Sequence, residues 1–421
     1  MLRARRARNR TECCSCRSCI WRSQRAHAYV ERGLQNRVNC LPVQVKFFKS
    51  VLNPFDLNLT RAYSAPDAFC PRPDLQKVLE RACAGRLWTV VDGDRRMGKS
   101  SAIIADSIRH ERPILHVDLM GVSSEQEVTE RFRWAWQFFV QQASGGFWKG
   151  ISPELSATIP GTSVGVKIGG SSSKAEPSSW GDVLVSFDRE TAKSGGLLFI
   201  DEMQDLARLT DRGQKMAKSL RAALQMARHV TPVFAGSVQH LLAPFFATSA
   251  AAFFKSIRLQ HHLKPFDQEE FGDWAARVFR EQKRVVEDGA LDRLFDLTEG
   301  VTEDLVATCA EIWVQGSKGR SVAPADVEVG WRNVVANAAQ YFLPRVSALS
   351  GLQARLLRHV ARNPRAQPFA EETLSAVKSE SGPAHRALRK LVELELLREE
   401  QRDGRKRVWV HDARLAFYLR A

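Results

Sequence analysis

Apolar residues recur along this chain in strand-length runs and at helical spacing by turns, and the switch from one to the other outlines the fold. Arg86-Leu-Trp-Thr-Val-Val91 is a short β-branched run ending at Gly93, and Ile103, Ile104 and Ile108 follow at helical spacing. The pattern predicts strand, glycine loop, helix. Pro113 stops that helix, and residues 114–119 read as a second strand. Ser123 and Ser124 offer a cap for a helix whose Val128, Phe132, Ala135, Trp136 and Phe139 share one face. A helix from about Trp180 to Lys193, a buried strand over 197–200, a helix from Gln214 to His229 and a fourth strand over 232–237 complete the series. Alternation to about Pro265 predicts an α/β fold with a doubly wound, mainly parallel sheet, and ligands of such sheets sit at the carboxyl ends of the strands.

From Asp267 to about Phe342 only helical patterns occur, so a helical lid subdomain is expected over 266–345, with Pro344 marking its end. The last segment, 346–421, reads as three helices over 350–361, 370–379 and 383–396, then a hairpin around Asp403-Gly404, which together make a winged helix. The sheet domain then spans 45–265, and a basic, cysteine-containing tail that reads as disordered spans 1–44. Residues 144–180, rich in Gly, Ser and Pro, read as a long insertion with a small hairpin over 162–168.

Composition sharpens this outline. At 421 residues the chain exceeds one ordinary core, and 44% hydrophobic content is enough for two or three. No apolar run approaches membrane-spanning length, so no membrane is expected among its partners. The formal charge of +15 is concentrated at the ends: residues 1–50 carry 12 Lys and Arg against 2 Asp and Glu, and 346–421 carry 15 against 9. Cys13, Cys14, Cys16 and Cys19 form two overlapping C-x-x-C steps that could begin a zinc site if His27 or Cys40 completed it, though a structural zinc site normally shows a second, well-spaced ligand pair. Cys70, Cys83 and Cys309 are scattered singly, as in reduced thiols of a cytoplasmic protein. The basic start lacks the apolar core of a secretory leader.

The chemistry lies at the strand ends. Gly93-Asp94-Arg95-Arg96-Met97-Gly98-Lys99-Ser100 fits G-x-x-x-x-G-K-[ST] between a strand and a helix, so loop N–H groups and a helix N-terminus face bound phosphates. Lys99 suits the β- and γ-phosphates of ATP and Ser100 a magnesium ion. Asp201 and Glu202 are delivered by an apolar strand, beside that loop if the two strands are neighbours. Asp201 suits the metal, and Glu202 the water that attacks the γ-phosphate. Ser237, ending the fourth strand, would contact that water or the γ-phosphate. Lys255 and Arg258, before a strand end at Leu263–Phe266, are candidate fingers for a neighbouring subunit. His385, Arg386, Arg389, Lys390, Arg402, Arg405, Lys406 and Arg407 put cations on a recognition helix and wing, which suits DNA phosphates, while Glu393, Glu395, Glu399 and Glu400 dilute that field and suit a protein partner.

With these residues in view, the chain over about Val45–Ala421 resembles the prokaryotic AAA-like ATPases of the STAND class, often labelled archaeal-type ATPases. The likeness rests on Lys46-Phe-Phe48, the double-arginine loop Gly93–Ser101, Phe199-Ile-Asp-Glu-Met-Gln204, Ala235-Gly-Ser237 and the closing Val410–Arg420. It implies a nucleotide-dependent molecular switch that hydrolyses ATP, with Gly93 to Ser101 holding the nucleotide, and a protein partner or a homo-oligomer. Where that family places Phe-x-Gly-Arg, this chain has Phe253-Phe-Lys-Ser-Ile-Arg258, so neither cation aligns as an arginine finger. An alternative is a regulator resembling the origin-recognition proteins, which binds DNA and holds ATP without appreciable turnover.

Overall fold

The structure, a computed structural model, describes residues 53–144, 177–209, 211–236, 245–246, 251–253, 255–364, 367–402 and 405–420. Ser237, the tail 1–44, the segment 145–176 and the turn Asp403-Gly404 lie outside the described residues.

The sheet comprises β1 (Thr89–Asp92), β2 (Ile114–Asp118), β3 (Gly196–Asp201), β4 (Val230–Gly236) and β5 (Leu259–His262), all parallel, in the order β2-β3-β4-β1-β5. Every residue of β1, β3 and β4 is buried, as their unbroken apolar runs require of strands covered on both faces. β5 alternates half-buried with exposed positions at the sheet's edge. The helices α1 (Leu59–Ser64), α2 (Pro73–Gly85), α3 (Lys99–Arg109), α4 (Glu125–Ser144), α5 (Trp180–Glu190) and α6 (Asp211–Met226) accompany it. Ser124 Oγ accepts the Glu127 N–H at 3.2 Å while the Glu127 carboxylate accepts the Ser123 N–H at 2.7 Å, which is the reciprocal cap the sequence predicts for α4.

Two expectations need correction here. The strands bearing the glycine loop and the Asp-Glu pair are not neighbours, because β4 lies between β1 and β3. Strands two places apart are separated by roughly 10 Å, a gap bridged by the loop and the first turn of α3. The fifth strand also ends at His262, before Leu263–Phe266, so Lys255 and Arg258 precede its amino end, on the edge opposite the glycine loop.

Beyond the sheet come α7 (Gln268–Arg280), α8 (Ala290–Thr298), α9 (Thr302–Gln315) and α10 (Pro324–Ser347). Their core holds Phe271, Trp274, Phe279 and Trp313, and Phe55 from the start of the described chain inserts among them, 4.9 Å from Phe279 and 5.4 Å from Trp274 between ring centroids. Leu57, two residues on, packs against both this core and that of the sheet. Pro344 does not end α10, which continues to Ser347. Proline lacks an N–H, so the helix forgoes only the bond to the carbonyl of Gln340, an exposed residue, and runs on for three residues.

Then follow α11 (Gly351–Arg362), α12 (Glu371–Ala376), α13 (Ser381–Glu393), the antiparallel pair β6 (Leu397–Arg402) and β7 (Arg405–Val410), and α14 (Ala413–Arg420). Trp331, Val334 and Phe342 of α10 share one apolar core with Leu356, Leu388, Leu391, Val408 and Leu419. The last long helix and the winged-helix elements are thus joined by continuous packing.

Candidate nucleotide site

β1 runs straight into the glycine loop, and its backbone explains both glycines. Gly93 has φ +150°, and a Cβ there would lie 2.7 Å from the carbonyl oxygen of Leu263, the residue after β5. Gly98, with φ +77°, is the N-cap of α3. Lys99 is buried, and its Nζ donates to the carbonyls of Gly93 at 2.9 Å and Asp94 at 3.0 Å, so the ammonium is held over the loop. Burial pulls its pKa down, against the opposing carboxylates of Glu202, Asp201, Asp94 and Asp92.

Across the tip of β4, the Ser100 hydroxyl donates to Asp201 Oδ2, and Asp201 Oδ1 accepts the Glu202 N–H at 2.9 Å. Burial pushes the Asp201 carboxyl up, but the neighbouring His116 and the donors Ser100 and Glu202 N–H outweigh it and hold it below the usual carboxylate range. Glu202 adopts φ 49°, which turns the chain sharply at the end of β3, and its carboxylate accepts a hydrogen bond from Gln204. Lys99, Ser100, Glu202, Gln204 and Arg208 line one cavity of about 530 Å³.

The charged side chains of the loop point elsewhere. Arg96 bonds both oxygens of Asp304 on α9, at 3.0 and 3.2 Å, and pairs with Asp412 at 3.3 Å. Arg414 closes the cluster on Asp412 and Asp304, at 3.3 and 3.4 Å. Arg95 pairs with Glu395, and Asp94 with Arg398, at 3.1 and 3.4 Å. Three consecutive loop residues, negative, positive, positive, therefore meet winged-helix residues of complementary sign. Sequence reading placed all three at the nucleotide through the loop; their side-chain partners escaped it, because Asp412 lies more than 300 positions away and carries no local signal.

Arg72 was also missed. Its guanidinium stacks 3.3 Å from the Phe266 ring centroid and donates to Met97 O at 3.2 Å, Lys264 O at 2.9 Å and Thr302 Oγ1 at 2.8 Å, so it ties the loop to the entry of the helical region. Beside it opens a cavity of about 890 Å³, lined by Phe55, Leu57, Met97, Ser101, Ala102 and Val306 among others. The structure thus gathers Gly93 to Ser101, Asp201 and Glu202 at one edge of the sheet.

The parallel sheet in this order, with the glycine loop after β1 and paired carboxylates at the tip of β3, is a fold shared with a solved Walker-type ATPase. Among solved structures, a Walker-type ATPase of Pyrococcus abyssi is similar over 87% of this chain and 100% of its own, with TM-score 0.63 at 18% identity. The RuvB Holliday junction branch migration motor of Thermotoga maritima gives TM-score 0.42 at 12% identity over 81% of this chain and 93% of its own. The ORC1 protein of Aeropyrum pernix in complex with DNA gives 0.42 at 12% over 85% and 94%. No protein-family model and no curated protein matches the sequence.

Proposed function

We propose that the protein binds ATP with magnesium and hydrolyses it to ADP and phosphate, as a switch read by the helical region and the winged helix. The observation that carries this is the contact of the Ser100 hydroxyl with Asp201 beside the buried ammonium of Lys99. Two hard oxygen donors next to a cation-lined loop fit magnesium and a polyphosphate better than a softer metal. Backbone N–H groups from Gly93 to Ser101 cradle the phosphates, and Lys99 meets the β- and γ-phosphates. Ser100 and Asp201 hold the magnesium ion, which when bound neutralises charge on the phosphate oxygens. Glu202, held by Gln204, orients and deprotonates the attacking water, and Ser237 contacts that water or the γ-phosphate. The apolar cavity beside Met97 and Ala102 takes the base. The charge-matched contacts of Asp94, Arg95 and Arg96 support the switch, since a phosphate that reshapes the loop displaces their partners. A STAND-class assignment and a cytoplasmic location, where Cys70, Cys83 and Cys309 remain thiols, accord with it.

Phosphate release should fall at least a hundredfold in Lys99→Ala and Glu202→Gln, with nucleotide binding kept by the second alone. Wild-type turnover in either variant would overturn the assignment.

One observation favours DNA as the target of the switch. Arg386 and Arg389 are exposed on α13 and have no ion pair among the described residues. The side chains of Arg402, Arg405 and Lys406 lie outside the described residues.

A further inference from the structure

Asp201 is almost wholly buried, and a carboxylate offers about four acceptor positions. The Glu202 N–H and the Ser100 hydroxyl take two of them. On the side away from the glycine loop stands His116, on β2, whose register sets it beside Phe199 of β3. The imidazole lies flat on that ring, with centroids 4.8 Å apart and planes 13° from parallel. Its Nε2 is buried, has no hydrogen-bond partner among the described residues and stands 3.8 Å from Asp201 Oδ2.

A buried nitrogen with no partner costs about 1–3 kcal/mol, and the sequence places this one inside the apolar run Ile114-Leu-His-Val117, where Val or Leu would pack without that cost. The gap to Oδ2 exceeds a normal hydrogen bond by less than about 1 Å. The stack on Phe199 fixes the ring plane and leaves a small slide along it as the motion that closes the gap.

We propose that His116 is a positioning residue for Asp201: its Nε2–H closes on Oδ2 when magnesium and nucleotide are bound and fixes the plane of the metal-binding carboxylate. The proposal rests on the ATPase reading above. It gives the site a carboxylate held from both sides, by Ser100 on the loop and by His116 on the adjacent strand, as outer partners commonly hold metal-binding groups.

The test uses the full chain with Mn2+ as the probe metal and a non-hydrolysable ATP analogue. His116→Phe keeps the stacked ring and loses the nitrogen; His116→Gln restores an N–H at similar reach. Mn2+ affinity read by electron paramagnetic resonance should weaken about tenfold in the Phe variant and recover in the Gln variant. Affinity for the analogue in EDTA should be the same for all three proteins. In the wild type, 15N resonances of His116 should show the Nε2–H tautomer hydrogen-bonded once Mg2+ and the analogue are added, a readout that stands even if the Phe variant does not fold. Unaltered Mn2+ affinity in the Phe variant, a loss not recovered by Gln, or an imidazole signal indifferent to Mg2+ would overturn the role of His116. Wild-type protein that binds the analogue neither with Mg2+ nor in EDTA would instead remove the ATPase reading, and is distinguished before any variant is made.

Discussion

Arg96, in the glycine loop, and Asp412, just after the winged-helix hairpin, pair at 3.3 Å over the buried carboxylate of Asp304. A change in the loop is therefore felt directly at the far end of the chain, without passing through the sheet.

Arg96→Ala should destabilise the protein in a pH-dependent way. Burial lifts the Asp304 carboxyl to about 7, against the pull of Arg96 and Arg414. Between its ordinary value of 3.8 and about 7 the folded chain keeps a proton that the unfolded chain has lost, so this site's stabilisation declines as pH rises through that window. Protonated Asp304 needs no guanidinium, whereas the ionised form does. The loss should therefore be about 3 kcal/mol at pH 8 and clearly smaller at pH 5, by urea unfolding. In an Asp304→Asn background the pH dependence should vanish. An equal loss at both pH values would show that Asp304 does not titrate there.

The pair Arg95–Glu395 is half exposed on both sides, so it contributes little to stability, about 0.2–1 kcal/mol in a double-mutant cycle. Its value is in orientation. Glu395→Arg should speed proteolysis between α10 and the winged helix, and adding Arg95→Glu should restore protection. Failure of the swap to restore it would mean that the contact does not hold the domain.

Gly93→Ala should abolish nucleotide binding while leaving the protein folded, because φ +150° is strained for alanine and the added methyl meets Leu263 O at 2.7 Å. Fluorescent ATP titration with circular dichroism checks both halves. Micromolar binding by the variant would contradict the geometry of the loop.

If DNA is the target, affinity should fall steeply with salt, and replacing Arg386 and Arg389 together should reduce the slope of log K against log salt by roughly 2. Fluorescence anisotropy on a duplex reads this. A slope unaltered by the double substitution would place the contact elsewhere.

What was legible in the sequence follows from how local its cause is. The all-buried strands β1, β3 and β4 announce themselves as unbroken apolar runs, and Gly93 and Gly98 are set by the backbone the loop needs, with Lys99 and Ser100 following at fixed spacing. The order of the strands was not legible, because register among buried parallel strands is set by packing of helices on both faces rather than by any residue within them. Nor were Arg72, Asp304 and Asp412, whose roles appear only when distant segments meet. His116 did leave a trace, a lone polar residue in an apolar strand, which reads as nothing until Asp201 is seen beside it.

Phe55 is sunk in the core of the helical region while Leu57 touches the sheet as well. The chain therefore crosses between the helical region and the sheet twice, through residues 53–59 and again through Pro265-Phe266, while the Arg96–Asp304 and Arg72–Thr302 contacts hold the two together non-covalently. A body held at one point can tumble in any direction; one pinned at two can only swing about the line between them. Were a bound phosphate to loosen those contacts, the two covalent crossings would leave the region one swing about the line between them, the simplest coordinate on which a phosphate can act.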